Sequence, residues 1–402
     1  MRILQVHNFY RTSAPSGENK VVFDERTLLQ NNGVEVETFY RENDKLEGMG
    51  LAGKIAGAAM TPYNPFAARE IKKVIAKTTP DIAHVHNTFP QLSPAIFSAI
   101  GGTTGRVLTL HNYRTVCPSA LPTRGGEICT ECIDKRSSLP ALKYNCYRDN
   151  KLATLPLALN VSLNRFANTW QNQIDAFIVF SEFQRDMMVR AGFPRDLIHI
   201  KPNFFPGNPE VIPFETRPME AVFIGRLTQE KGVTTLINAW RRWGGTAPDL
   251  KIIGDGALRA QLEQEAKGLN ITFLGQLPHE KTVQELAQAR LVVLPSECYE
   301  GFPMVLQEAF ASATPIAISD IGPLPSLIGN PPAGNKFEPK NPDALLAAIT
   351  HLWSDQEDLA KKSHLAQQLF EKFYTDKANL QLLLSIYQSA IDEKKQRLTK
   401  RK

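Results

Sequence analysis

Two carboxylates and two cations carry the densest chemistry in this 402-residue chain. Glu300 and Glu308, with seven residues between them in SECYEGFPMVLQEAF, follow the strand-like run RLVVLPS and are expected to open an amphipathic helix. Upstream, AVFIGR runs into GRLTQEKG, which supplies Arg226 and Lys231. A guanidinium grips phosphate through its planar fork, and an ammonium acts as a compact point charge. The turn EGFPM at a helix start would offer backbone N–H groups and the positive end of the dipole to an anion. The two carboxylates, about two helical turns apart, could each accept hydrogen bonds from a different ring. A diphosphate needs cations and sugar rings need acceptors, so this set suits a nucleotide-sugar.

The strings GRLTQEKG, IIGDG, ITFLGQLP and PSECYEGFPMVLQEAFASATPIAIS resemble the donor half of family 4 retaining glycosyltransferases, in matching order and spacing. The resemblance implies an α/β chain of GT-B fold, two doubly wound Rossmann-like domains facing across a cleft. It implies a donor-binding C-terminal domain and an acceptor-binding N-terminal domain. A hexose-type sugar would pass with retention from a UDP- or GDP-linked donor to a hydroxyl. The family-level acceptor is a glycan or lipid-linked intermediate of a cell-surface polysaccharide. Arg226 and Lys231 would stabilise charge on the departing diphosphate. Glu300 would bind hydroxyls of the transferred sugar, and Glu308 the ribose. Gly225, Gly301, Phe302 and Pro303 would place backbone near sugar and phosphate. Relatives usually carry Gly where this chain has Pro303, which has no N–H to donate. There is no suitably placed Asp-x-Asp motif, and with two cations at hand no catalytic metal is expected.

The N-terminal half has its own candidates. Gly17 follows the first strand in SAPSGENK, where a glycine lets a ligand approach the backbone. Family relatives usually have two adjacent glycines there; this chain has Ser16-Gly17. Glu18 is read either as an acceptor contact or as a helix-start residue. His86 ends DIAHVH and His111 ends RVLTLH, both at the carboxyl ends of expected parallel strands and both followed by Asn. By resemblance His111 faces the transferred sugar. His86, Asn87, Asn112 and Arg114 then become acceptor-side candidates, with Arg114 equally readable as an ion-pair partner.

Four of the five cysteines, Cys117, Cys129, Cys132 and Cys146, fall in one insert. Grouped thiols with a C-x-x-C pair suit a structural zinc; a redox pair and incidental thiols are the competing readings. Cys298 is expected simply to pack beside the donor motif.

Strand-like runs alternate with helix-period stretches, so parallel α/β units must position these residues. The expected strands are RILQVH, VEVETFY, DIAHVH, RVLTLH, AFIVF and IHIKPN, then AVFIGR, LKIIG, ITFLG, ARLVVLP and PIAIS. The Pro-rich KPNFFPGNPEVIPFETRP between the sets reads as a linker. The expected organisation is an N-terminal domain over 1–205 with an insert at 112–150, a linker at 206–218, and a C-terminal domain over 219–375. The remainder, 376–402, is helix and basic tail, which the resemblance carries back to the N-terminal domain. The chain is 43% hydrophobic with a net charge of +5, enough for real cores and too little charge for nucleic acid. The tail KKQRLTKRK is expected as a solvated, frayed end, with anionic membrane contact as its second reading. No apolar run reaches about 18 residues, and the start reads as a strand, so a cytoplasmic protein is expected, at the inner membrane face if the tail docks there. Two rival functions remain at this level: a sugar-nucleotide epimerase of the same fold, and a non-enzymatic binding module built on the cysteine insert.

Overall fold

Alternation of short apolar strands with helices builds two all-parallel sheets. The computed structural model describes residues 1–10, 16–44, 48–207 and 209–400. The chain divides into two units. The first comprises Met1–Arg124, Cys129–Pro202 and Asn379–Lys402; the second comprises Gly125–Ile128 and Asn203–Ala378.

The first unit holds β1 (Arg2–Phe9), β2 (Glu35–Glu42), β3 (Ile82–Val85) and β4 (Gly105–Thr109). Two short strands, β5 (Thr123–Arg124) and β6 (Glu127–Ile128), the latter counted with the second unit, lie in the insert, and β7 (Ala176–Val179) and β8 (Ile198–Ile200) complete the first unit's sheet. The strand order is β2-β1-β3-β4-β7-β8. The central strands β3, β4 and β7 are buried at every position, as the near-continuous apolar runs of a sheet covered on both faces require. Among the described residues, the helix Asp376–Thr399 closes one face, packing Leu383, Ile386, Tyr387 and Ala390 on Ile3, Ile82, Val107 and Ile178. The expected frayed tail is instead helical through Thr399. Its Lys394 is buried, and Arg397 lies 2.6 Å from Glu393 and 3.8 Å from Asp175. The tail is solvated for the rest: Lys395 is 68% exposed, and Gln396, Thr399 and Lys400 are exposed as well.

The second unit orders its strands β11-β10-β9-β12-β13-β14. These are β9 (Glu220–Ile224), β10 (Asp249–Ile253), β11 (Ile271–Gly275), β12 (Leu291–Leu294), β13 (Ile316–Ser319) and β14 (Gly334–Phe337). Its core joins Phe223, Ile252 and Val293 of the sheet to Leu236, Ile237 and Trp240 of the helix Val233–Trp243. In both sheets the strand order reverses beside the first strand, between β1 and β3 and between β9 and β12. Ligands of such sheets bind at the carboxyl ends of those strands.

Candidate functional site

In the second unit β9 ends at Ile224, and the chain turns through Gly225 and Arg226 into the tight turn Gln229–Lys231. Two glycines make this turn possible. Gly232 has φ 68°, and a Cβ there would lie 1.8 Å from the Pro295 carbonyl oxygen. Gly254, after β10, has φ 140°, and its Cβ would lie 1.9 Å from the Gly225 carbonyl. Both backbones approach too closely for any side chain. That is the physical content of GRLTQEKG and IIGDG.

Lys231 and Glu300 meet at the switch point of this sheet. Lys231 Nζ donates to Glu300 Oε1 at 2.6 Å, and Ser296 Oγ donates to the same oxygen at 2.7 Å. The side chains are 18% and 12% exposed. Burial alone would raise the Glu300 carboxyl; the Lys231 ammonium, the bonds from Lys231 and Ser296 and the nearby Arg226 charge outweigh it and hold it below the usual range. Burial likewise disfavours the Lys231 ammonium, yet the Glu300 charge lifts it above its ordinary value. Arg226 stands differently. Its side chain is 70% exposed, with Nη2 3.4 Å from Glu230 Oε1.

The second carboxylate is placed as expected in part only. Glu300 lies in the turn ahead of the helix, and only Glu308 is on it, because Pro303 is extended (φ −71°, ψ 117°) and the helix Met304–Ala311 starts after it. That helix is not amphipathic: every residue from Val305 to Ala311 is buried. It packs against the helices His279–Gln288 and Gln356–Phe373, so both of its sides face protein. Glu308 is buried, with Oε1 3.7 Å from His279 Nδ1. Gly301 lies in the turn, and the buried Phe302 ring sits 5.8 Å from Tyr374. Leu306 N–H bonds the Pro303 carbonyl at 3.0 Å, so the helix's opening N–H groups available to a ligand are those of Met304 and Val305.

In the first unit His86 and His111 leave β3 and β4 side by side. His86 Nδ1 and His111 Nε2 are 3.1 Å apart, and the rings stack at 5.4 Å. Burial, then neighbouring positive charge, pushes both imidazoles well below their ordinary pKa, so both are neutral. They line a pocket of about 590 Å³, open solvent included, with Asn87, Phe89, Asn112, Arg114, Leu157 and Asn160 also on its walls. Asn87 Oδ1 accepts from Phe89 N–H and Asn112 Oδ1 from Arg114 N–H, each at 2.9 Å. Both asparagines thus close turns two residues on, a common use of Asn after a strand. Arg114 lies over the Phe89 ring at 4.3 Å and donates to the Pro118 carbonyl at 3.2 Å. Gly17 is the exposed first residue of the helix Gly17–Asn31, capped by Ser16. The stretch of its turn from 11 to 15 is outside the described residues. Burial outweighs Arg114 and Asn87 to push the Glu18 carboxyl up to about 8.

Two family models tile the chain: Glycosyltransferase Family 4 over residues 15–206 and Glycosyl transferases group 1 over 206–368. A Bacillus subtilis glycosyltransferase assigned to teichuronic acid biosynthesis is 32% identical over 313 residues, covering 75% of this chain and 70% of its own. This chain belongs to the family 4 glycosyltransferases. An O-antigen chain mannosyltransferase of Escherichia coli is 24% identical over 98% of this chain and 100% of its own. The match to a Mycobacterium tuberculosis glycogen synthase, 33% identical, spans 38% of either chain. Among solved structures, a Rickettsia africae glycosyltransferase aligns over 97% of this chain and 98% of its own, with TM-score 0.68 and 16% identity. Anabaena HepE in complex with UDP-glucose aligns over 96% and 99%, with TM-score 0.62 and 16% identity. The fold is therefore GT-B, two Rossmann-like halves.

Sequence reading missed one buried cluster in this glycosyltransferase. Glu25 Oε1 accepts from Lys201 Nζ at 2.6 Å, and Glu25 Oε2 lies 3.8 Å from His84 and 3.6 Å from His86. His84 bridges Tyr387 Oη and Thr109 Oγ1 at 2.8 Å each. Glu25, His84 and His86 bring three ligand atoms within 4.8 Å of one another, the one such trio among the described residues. The Lys201 ammonium already supplies the cation there. The available signal was a carboxylate on the apolar face of the first helix, beside Val21, Val22, Leu28 and Leu29.

The insert gathers its cysteines. Cys117, Cys129, Cys132 and Cys146 all line one small pocket, and all are free thiols. Cys129 N–H bonds the Pro122 carbonyl at 2.9 Å, and Cys132 sits on the short helix Glu131–Asp134. Burial, then the neighbouring Cys117 and Cys146, push the Cys132 thiol up to about 12. Cys298 is buried two residues ahead of Glu300.

Proposed function

We propose that this family 4 glycosyltransferase moves a hexose-type sugar, with retention, from a UDP- or GDP-linked donor to a hydroxyl of a lipid-linked glycan intermediate. The observation that carries the reading is the Lys231–Glu300 pair at the switch point of the second sheet, with the exposed Arg226 guanidinium beside it. A phosphate would draw on Lys231 and Arg226, and the Glu300 carboxylate would accept from sugar hydroxyls. As the anomeric C–O bond to the diphosphate breaks, the two cations stabilise the charge that develops on it. The acceptor oxygen bonds the same face of the anomeric carbon, and its proton passes to the departing phosphate oxygen. Glu308 is assigned the ribose, and His111 keeps the role implied by resemblance, a hydrogen bond to the transferred ring. The pocket at His86, His111 and Arg114 supports an acceptor site, which an epimerase would not need.

The complex of HepE with UDP-glucose and the relatives named for O-antigen and teichuronic acid synthesis support the donor and acceptor classes. No catalytic metal takes part in this reading. The cysteine insert is proposed to hold one structural zinc and has no chemical role. Among the described residues no helix is long and apolar enough to cross a membrane. The reading places the enzyme in the cytoplasm, at the inner membrane face. The deciding experiment is a thermal-shift panel of nucleotide-sugars followed by turnover. A true donor at ~100 times its dissociation constant adds about 2.7 kcal/mol of stability. No response to any UDP- or GDP-sugar would overturn the assignment.

A further inference from the structure

Glu25 and Lys201 form an ion pair wholly out of water, with Lys201 Nζ donating to Glu25 Oε1 at 2.6 Å. A buried ion pair is weak evidence for stability, because apolar side chains of similar size generally fill a core at least as well. Only half of this carboxylate is spent on the pair. Among the described residues Glu25 Oε2 has no hydrogen-bond partner, and neither has His86 Nε2, 3.6 Å away, although both atoms are buried. Two buried orphans that face one another call for a reason.

The reason lies in where protons sit. A carboxylate oxygen only accepts, so the imidazole nitrogen facing it favours its N–H form, and a lone pair there would be repelled. At 3.6 Å the contact is longer than a hydrogen bond, but the electrostatic preference persists at that range. His84, 3.8 Å from the same oxygen, is free of this constraint. Its nitrogens bond the hydroxyls of Tyr387 and Thr109, and a hydroxyl donates or accepts as required. His86 and His111 are both neutral, so each ring carries one proton. With the His86 proton on Nε2, its Nδ1 is a bare acceptor 3.1 Å from His111 Nε2. That nitrogen then donates, and His111 keeps a lone pair on Nδ1. His111 lines the pocket of the first unit, whereas Glu25 lies behind it and off its walls.

We propose that Glu25 is a positioning residue: through His86 it fixes the proton of His111 on Nε2, so that His111 Nδ1 meets a ligand as a hydrogen-bond acceptor. Lys201 holds the carboxylate, the carboxylate orients His86, and His86 orients His111. The ligand group that His111 selects is then a hydroxyl, which can donate, and not an ether or phosphate oxygen, which cannot. Naming that hydroxyl as one on the transferred sugar rests on the function proposed above; the proton chain does not.

Long-range proton–nitrogen correlation spectra of the full chain, labelled with nitrogen-15 at its eight histidines, read the tautomers directly. No ligand is added, and His86→Gln and His111→Gln spectra assign the signals. Near neutral pH the unaltered protein should carry both protons on Nε2. Glu25→Gln should invert the chain. Its amide can keep its oxygen on Lys201 and turn its NH2 to His86 Nε2, which moves both the His86 and the His111 proton to Nδ1. A carboxylate that merely supports the fold would leave the tautomers where they were. Should that variant not fold, Glu25→Leu/Lys201→Met replaces the pair with apolar side chains and should leave both rings as tautomer mixtures. With the nucleotide-sugar selected by the thermal-shift panel, kcat of Glu25→Gln should fall about 10- to 100-fold while binding of UDP or GDP alone is unchanged. His111 protonated on Nδ1 in the unaltered protein overturns the proposal, as do tautomers unmoved in a folded variant. Full kcat with inverted tautomers also overturns it, because no ligand group would then depend on His111 Nδ1. If no nucleotide-sugar is turned over, the function reading fails by itself, and the spectra still decide the role of Glu25.

Discussion

The 2.6 Å contact between Lys231 and Glu300 holds a cation and an acceptor one hydrogen bond apart, both largely out of water. An ammonium already oriented by a carboxylate needs little reorganisation to meet a phosphate, which is how preorganised charge stabilises a transition state. Arg226→Ala and Lys231→Ala should each cost about 100- to 1,000-fold in rate. Arg226 is exposed, so its loss should leave stability within about 0.5 kcal/mol, and a melting curve serves as the control. Near-normal turnover in both variants would remove the donor site from this turn. The carboxylates divide by partner. Glu308→Gln should weaken binding of the nucleoside diphosphate alone, whereas Glu300→Gln should spare that ligand and impair transfer from the intact donor. Calorimetry with each ligand separates them. Wild-type behaviour of both variants toward both ligands would show that neither carboxylate has its assigned partner.

At the scale of elements, short apolar runs announced eleven strands of the two sheets close to where they form, and the central ones, covered on both faces, are buried throughout. The strand β14 went unread: GNKF is short, half polar and lies at the sheet edge, where pattern is weakest. The strands β5 and β6 have two residues each, below any periodic signal. The helix Met304–Ala311 was legible in place but not in character, because tertiary packing on both sides buries even Gln307 and Glu308. Glu25 and Lys201 were not legible as partners, since 176 residues separate them and only the sheet brings them together. The cysteine insert was legible as a group; its four cysteines line one pocket, but no three of their sulfurs lie within 4.8 Å of one another. A tetrathiolate zinc has Zn–S of about 2.3 Å, so binding should draw the sulfurs inward and order the loop. Elemental analysis of protein purified without added metal should find one zinc per chain, and a chelator should free four reactive thiols while donor binding survives. Metal content near zero with four thiols already reactive would leave the insert without a metal.

At the scale of the whole molecule, a buried network joins the first sheet to the last helix. His7, His84, His86 and His111 are all neutral there, with burial the largest cause, and His7 and His84 are each lowered to about 4. The folded imidazoles refuse protons that unfolded ones accept below about pH 6.5. Their contribution is therefore present above pH 6.5 and is lost as pH falls toward 4, by no more than about 3 kcal/mol for each of the two. The urea midpoint of the first unit should fall across that window, and a flat midpoint would show that the cluster titrates normally.

The helix Asp376–Thr399 is where sequence distance and structural dependence differ most. It follows the second unit in the chain, yet from Asn379 it belongs to the first. Leu383 and Tyr387 are fully buried on that unit's sheet, Tyr387 Oη lies 2.8 Å from His84 Nδ1, and Asn379 Oδ1 accepts from Lys201 at 3.2 Å. The first unit's core is thus incomplete without the chain's last residues, and their loss should be felt there. Leu383→Ala should cost about 2–5 kcal/mol, the usual range for a cavity left by a buried leucine. The loss should appear in the unfolding transition of the first unit. The shift of the second unit by a UDP- or GDP-sugar should persist, because the candidate donor residues Lys231 and Glu300 belong to that unit and Leu383 to the first. Two resolved calorimetric transitions, followed with and without nucleotide-sugar, distinguish the cases. If the variant lowers the nucleotide-responsive transition instead, the helix supports the donor unit, and its assignment to the first core is wrong.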